Sequence, residues 1–282
     1  MPYGIQQPAV SGQILQLEAE LGAQLFRRRP FALTPSGERL YQFIAPFFAN
    51  LPNLRAELRG EAGARLRLAA SAPVLRDHLP ELLHELRETY PRITPSLHEA
   101  DQAQAEALLQ KQEIDLAITE LAGRPAAGLK AQTLLRLPPV LLVPADAPWK
   151  TARALLAAHA KLANPPPLIA LPASATLTKF FQDGLRRQGL RWPVAVEVNS
   201  LDLVETYVAE GFGVGLSLAL PAGRTGASSS GEKWRRLPLG AGFSPVVIAA
   251  LWQGKLAPLP AAFLKLVHAR AATLHAVAAA AA

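Results

Sequence analysis

Apolar positions in the first part of the chain repeat with the period of a helix. From Pro8 to Leu21, Val10, Ile14, Leu17 and Leu21 stand four, three and four residues apart, one face of an amphipathic helix. Pro8 suits the first turn, where its missing N–H has no intrahelical partner anyway, and Gly22 suits the end. Leu25 to Leu33 is short, with basic residues and Pro30 at its middle, and predicts a hairpin or wing. Thr34 as N-cap and Pro35 as first helical residue open a second helix. There Leu40, Ile44, Phe47, Leu51, Leu54 and Leu58 alternate steps of four and three. Such a heptad seam serves equally for pairing with another helix or for packing on its own domain. Pro46 and Pro52 fall inside the pattern, each costing roughly 3 kcal/mol in a helix interior, so a kink or break is expected there.

Gly60 to Gly63 reads as a hinge, and beyond it strands and helices alternate. The expected strands are Arg65–Ala70, Ile93–Glu99, Ile114–Thr119 and Val140–Pro144, with helices at Leu79–Tyr90 and Ala103–Gln112. After Asn164 to Pro167 a second run begins: strand Leu168–Leu171, helix Thr176–Gln188, strand Val194–Val198, helix Leu201–Glu210 and strand Val214–Leu218. Ala222 to Glu232 is a polar loop, Val246–Trp252 a strand and Pro260–Leu274 a helix, before an Ala-rich tail expected to fray. This order predicts two α/β halves with mostly parallel sheets and a cleft between them, where small ligands bind at the strand C-termini.

Composition adds exclusions. Among 282 residues there is no Cys, so disulfides, thiolate zinc sites and cysteine nucleophiles are ruled out. The longest apolar runs fall short of the roughly 20 residues of a membrane helix, and no secretory signal is visible, which predicts a cytoplasmic chain without membrane contact. The net charge of +7 favours a polyanionic partner, and its sharpest local feature is Arg27–Arg28–Arg29. A triplet of this kind serves as a solvated turn about as often as a phosphate contact.

Chemistry is sparse. The six histidines show no metal-ligand spacing, and no phosphate loop or nucleophile elbow is present. Gly211–Phe212–Gly213–Val214–Gly215 precedes a strand instead of following one, so it reads as a tight helix-to-strand turn, not a dinucleotide site. Asp115 reads better as a structural carboxylate than as a catalytic one. No nucleophile stands with a base, so no enzyme and no cofactor is expected.

Specific residues carry a resemblance. Ile5–Gln6–Gln7–Pro8–Ala9–Val10–Ser11–Gly12–Gln13–Ile14, Leu17–Glu18, Leu21–Gly22, Leu25–Phe26–Arg27–Arg28 and Leu33–Thr34–Pro35–Ser36–Gly37 resemble the LysR-type transcriptional regulators. Farther on, Tyr90–Pro91–Arg92–Ile93, Glu113 to Ile118 and Val208 to Gly215 are similar to runs of that family's effector domain, so the resemblance spans essentially the whole chain. It implies a fold: an α+β winged helix-turn-helix, here partial, followed by an α/β effector domain of two subdomains like a periplasmic binding protein. Residues 1–36 would form the DNA-binding domain and 37–62 the dimerising linker helix and hinge. Residues 63–282 would form the effector domain, with subdomain I at 63–145 and 246–282 and subdomain II at 146–245.

The resemblance further implies double-stranded promoter DNA, a small-molecule effector and a homodimer or homotetramer as partners. Gln7, Pro8, Ala9, Ser11 and Gln13 would lie on the helix entering the major groove, with Arg27, Arg28 and Arg29 of the wing on phosphates. By the family's layout the effector would meet Ser71, Ala72, Glu99, Asp101, Ser174, Thr176, Asn199 and Ser200. Each Ser or Thr there serves as readily as a plain helix N-cap. Helix N-termini around the cleft point to a carboxylate-bearing metabolite.

Departures from the family pattern accompany it. Met1 stands only six residues before Gln7, so the family's first helix and most of its second have no counterpart, and the resemblance implies a native start upstream. Val10, Ile14 and Leu17 would then form an exposed apolar face. Gln6 occupies the usual Ser position, Gly12 and Leu15 stand where the family often has basic side chains, and Gly12 weakens its helix by roughly 0.5–1 kcal/mol. Three functions remain open: a DNA-binding regulator, a truncated ligand-binding or partner subunit without DNA binding, and a solute-binding protein or enzyme on the same two-lobed fold.

Overall fold

The computed structural model describes residues 7–58, 65–162, 164–219 and 233–280. The hinge expected at Gly60 to Gly63 and the loop at Ala222 to Glu232 lie outside the described residues. The chain opens with α1 (Gln7–Leu21), which ends where Gly22 turns to φ +63°, a left-handed conformation that a side chain would resist. A hairpin follows, β1 (Phe26–Arg28) and β2 (Phe31–Leu33), pairing Phe26 with Leu33 and Arg28 with Phe31. Helix α2 (Pro35–Leu58) then runs for 24 residues without the break expected at Pro46 and Pro52. Each proline forfeits one main-chain hydrogen bond, and the bonds of its neighbours carry the helix past it.

The next unit comprises β3 (Arg65–Ala70), α3 (Ala72–Asp77), α4 (Leu79–Thr89), β4 (Thr94–Glu99), α5 (Gln102–Gln110), β5 (Leu116–Glu120) and β6 (Leu129–Leu137). The chain then passes into β7 (Pro139–Pro144), α6 (Ala152–His159), β8 (Leu168–Ala170), α7 (Thr176–Arg187), β9 (Val194–Glu197), α8 (Leu201–Ala209), β10 (Val214–Leu218) and β11 (Trp234–Pro238). It returns through β12 (Val246–Gln253) and closes with α9 (Pro258–Ala280). The Ala-rich end expected to fray is helical as far as Ala280.

Two five-stranded sheets result, ordered β4-β3-β5-β12-β6 and β11-β7-β10-β8-β9. They are mixed, not mostly parallel. β3 pairs in parallel with β4 and β5, and β8 with β9 and β10, whereas β12 runs antiparallel to β5 and β6, and β7 antiparallel to β10 and β11. The antiparallel strands are those bracketing the two passages between sheets, where no helix returns the chain to its starting edge. Strand Pro139–Pro144, assigned above to subdomain I, therefore belongs to the second sheet. The edge strands β6 and β11 escaped the sequence pattern because Lys130, Gln132 and Arg136, and Arg235 and Arg236, interrupt their apolar alternation.

Each sheet has its own core. Leu66, Leu68, Leu79, Leu86, Leu116 and Phe263 fill the first, between the sheet and α4 and α9. Leu141, Leu155, Phe181, Leu185, Trp192 and Phe243 fill the second. Asp115 proves structural: its carboxylate accepts from the Arg67 backbone N–H at 2.8 Å and pairs with the Arg67 guanidinium at 2.6 Å, tying β5 to β3. The glycine run after α8 is the tight turn expected, since a Cβ at Gly213 would meet the Pro167 carbonyl oxygen at 2.2 Å. Phe181 is fully buried and stacks on Phe243 at 5.5 Å. Phe181→Ala should lower the unfolding free energy by about 3–5 kcal/mol in urea titration, and a loss below about 1 kcal/mol would contradict this packing.

Candidate functional site

Two regions hold the candidate residues. In the first, side chains of α1 and α2 fix the hairpin. The Glu18 carboxylate on α1 accepts from the backbone N–H groups of Leu25 and Phe26 at 2.6 and 3.0 Å, pinning the start of β1 to the helix. Thr34 caps α2 by accepting from Gly37 N–H at 3.0 Å, and its hydroxyl donates to the Gln24 carbonyl at 2.5 Å. Gly37 is required there, because a Cβ would lie 2.0 Å from the Leu25 carbonyl oxygen. Phe26 and Phe31 stack at 5.3 Å across the hairpin.

This frame exposes Arg27, Arg28 and Arg29 together at the hairpin tip. Ser11 and Gln13 are exposed on α1, and Gln7, Pro8 and Ala9 form its first turn. Val10, Leu15, Leu17 and Leu21 are also exposed on α1, as are Tyr41, Phe43 and Phe48 on α2.

The second region is a cleft of about 650 Å³ between the two sheets. Parallel strands β3, β4, β5 and β8 all direct their carboxyl ends toward it, where such sheets bind ligands. Ser71 and Ala72 follow β3, Glu99 and Asp101 close β4, and Ser174 and Thr176 lead into α7; all six line the cleft. Asn199 and Ser200 do not: the Ser200 hydroxyl accepts from Leu203 N–H at 3.3 Å and is a plain cap of α8. Asp101 is likewise a cap, in a reciprocal pair with Gln104. The hydroxyl of Ser71, by contrast, does not cap α3, and α7 begins behind Ala175 with no side-chain cap at all.

Sequence reading missed Thr119, Glu120, Gln102, Gln104 and Ala122, which also line the cleft. Glu120 directly follows the strand read from the sequence as Ile114–Thr119, but the family's layout was carried over only after the first two strands of this unit. Burial in the cleft wall pushes the Glu120 carboxyl above the ordinary glutamate range, and a hydrogen bond with the Thr176 side chain pulls it partly back. Outside the cleft lining, Arg76 of α3 pairs with Asp202 of α8 at 2.7 Å, linking the two units, both side chains more than half exposed.

Because its folded-state affinity for the proton exceeds that of the unfolded chain, Glu120 stays protonated at pH values where the unfolded chain has released its proton. Stability therefore falls as pH rises from the unfolded value through the folded one. Glu120→Gln should remove that fall: urea midpoints of variant and wild type coincide at acid pH, and the variant's is higher at neutral pH. A difference that does not change with pH would contradict the burial argument.

Comparison with known proteins agrees with both regions. The family model described as the LysR substrate binding domain matches residues 59–272, and that of the bacterial regulatory helix-turn-helix protein, lysR family, matches residues 3–38. The Escherichia coli (strain K12) HTH-type transcriptional regulator cbl is 30% identical over 217 residues, 74% of this chain and 67% of that protein. The Haemophilus influenzae HTH-type transcriptional activator IlvY is 37% identical over 121 residues, 41% of this chain and 40% of its relative. Among solved structures, HinK, a LysR family regulator from Pseudomonas aeruginosa, superposes with a TM-score of 0.61 at 22% identity, over 95% of this chain and 89% of that one. Full-length BenM does so with a TM-score of 0.61 at 21% identity, over 95% and 89%. Among the described residues no helix is long and apolar enough to cross a membrane. With the substrate-binding-domain model matching more than half of the chain, the chain belongs to the LysR family of transcriptional regulators, which are not enzymes.

Proposed function

We propose that this chain binds double-stranded DNA through α1 and the β1–β2 wing and that a small metabolite in the cleft sets how it does so. The carrying observation is the cleft itself, walled by polar residues of two separately cored sheets and joined in sequence to an exposed basic hairpin. Residues 1–36 serve as reader and 37–62 as linker, with the effector domain beyond. Gln7, Pro8, Ala9, Ser11 and Gln13 face base edges and nearby phosphates, and Arg27, Arg28 and Arg29 meet phosphates alone. The exposed aromatics Tyr41, Phe43 and Phe48 support pairing of α2 with a second copy, as homodimer or homotetramer.

A carboxylate on the metabolite is supported by α7, whose first N–H groups have no side-chain cap and face the cleft beside Ser174 and Thr176. The Arg76–Asp202 pair supports movement of the walls. A surface ion pair is worth about 0–1 kcal/mol, so a ligand touching both walls outweighs it and shifts the population of open and closed forms.

Fluorescence anisotropy of the chain with a randomised duplex pool tests the reading. Affinity should fall steeply with salt, and Arg27→Ala, Arg28→Ala and Arg29→Ala should each lower the log–log salt slope by about 1 without changing the selected sequence. Gln13→Ala should change the selected sequence with little effect on the slope. No binding at low salt would overturn DNA reading by this chain and favour the partner-subunit alternative.

A further inference from the structure

Two carboxylates stand close together on α1, and the fold uses them differently. Glu20 is exposed and accepts from the Gln16 side chain at 3.1 Å, one turn back along the helix surface. Glu18 is half-buried and turns Oε1 away from the helix, onto the backbone N–H groups of Leu25 and Phe26 at 2.6 and 3.0 Å. Hydrogen bonds to an ionised acceptor are roughly twice as strong as neutral ones. Leu25 is gripped from its other side as well: its carbonyl accepts from Thr34 N–H at 2.9 Å, and its side chain is buried. The hairpin closes on itself through its strand pairing and the Phe26–Phe31 stack. Glu18 therefore sets where the hairpin sits relative to α1, not whether it forms.

Arg27, Arg28 and Arg29 follow Phe26 directly, so a displacement of Phe26 carries all three. They are exposed, and among the described residues none of them forms an ion pair. Glu18 meets backbone N–H groups instead of these guanidinium groups, which leaves the arginines open to phosphate. An arm fixed before binding loses less orientational freedom on a duplex than one that must be ordered there.

We infer that Glu18 is a positioning residue for DNA binding, holding the wing arginines at one place relative to α1 so that phosphate and base-edge contacts form together. The inference rests on the DNA reading proposed above and adds that the phosphate contribution is conditional on one carboxylate acting through the hairpin. Charge alone predicts the opposite sign. A carboxylate in a DNA-binding module repels phosphate, so its removal should strengthen binding.

The test is fluorescence anisotropy of the full chain with the same duplex pool, comparing Glu18→Ala, Glu18→Gln and Glu20→Ala. All three substitutions remove one negative charge from α1, but Glu18→Gln keeps an acceptor oxygen for Leu25 and Phe26, and Glu20 makes no bond to the hairpin. Glu18→Ala should weaken binding by about tenfold, the equivalent of about 1.4 kcal/mol. It should also lower the log–log salt slope toward that of a chain carrying Arg27→Ala, Arg28→Ala and Arg29→Ala together. Neither Glu18→Gln nor Glu20→Ala should weaken binding. In the background of the three arginine substitutions Glu18→Ala should cost less than about twofold, because the hairpin then carries no phosphate contact to position.

An equal loss in both backgrounds would mean that Glu18 supports the fold of the reader alone, and overturns the inference. Binding by Glu18→Ala as tight as by Glu20→Ala overturns it too. If the three arginine substitutions leave affinity and salt slope unchanged, phosphate contact by the wing fails and takes the inference with it, while DNA reading by α1 stands. No binding by the wild-type chain at low salt overturns the DNA reading and the inference together.

Discussion

The chain passes from one sheet to the other twice, between Leu137 and Pro139 and again between Pro238 and Val246. All that the cleft can do depends on this double passage. Strands β3, β4 and β5 are parallel, so their carboxyl ends crowd one edge of the first sheet, and β8, β9 and β10 do the same in the second. A carboxyl edge is where strands hand over to loops and helix starts, and therefore where N–H groups, short polar side chains and carboxylates collect. Joining the sheets by two short stretches of chain turns two such edges into one cleft and gives each sheet its own core, Phe263 in one and Phe181 with Trp192 in the other. The two cores meet where the chain passes between sheets: Leu137 and Val246 of the first sheet's strands enter the second core, and Ile248 packs against both.

The polar links between the two units are light. Arg76 and Asp202 meet at the surface, where water screens the pair, and Glu120 with Thr176 forms a contact whose carboxyl burial opposes ionisation. Neither contact locks the walls. The strong ties run within a subdomain, as between Arg67 and Asp115, which combine backbone and guanidinium bonds on one carboxylate. A surface pair of this kind is worth about 0–1 kcal/mol, far less than a single buried apolar side chain of either core.

The reader follows a different logic, with little core of its own. Leu25 is its deeply buried apolar side chain, and hydrogen bonds do much of the fixing: Glu18 on two backbone N–H groups, Thr34 between Gln24 and Gly37. These bonds account for residues that look unremarkable in the amphipathic pattern. They hold the arginine-bearing hairpin tip at a set position relative to α1, so helix and hairpin form one rigid piece.

The sequence by itself determined the helices with full apolar stripes, the strands with clean alternation and the hairpin, whereas the positions of the six cleft residues came from the family's layout. The helices, strands and hairpin depend on local periodicity or on a cap, and both act within a few residues. It also determined that Gly211 to Gly215 is a turn and that Asp115 is structural. Only the tertiary structure decided which sheet β7 joins, that both sheets are mixed, and that α2 continues through two prolines, because these follow from partners distant in the chain. It alone removed Asn199 and Ser200 from the cleft and brought Thr119 and Glu120 into it. A strand end becomes part of a site only when another sheet is placed against it, and no pattern within β5 or α8 records where that sheet lies.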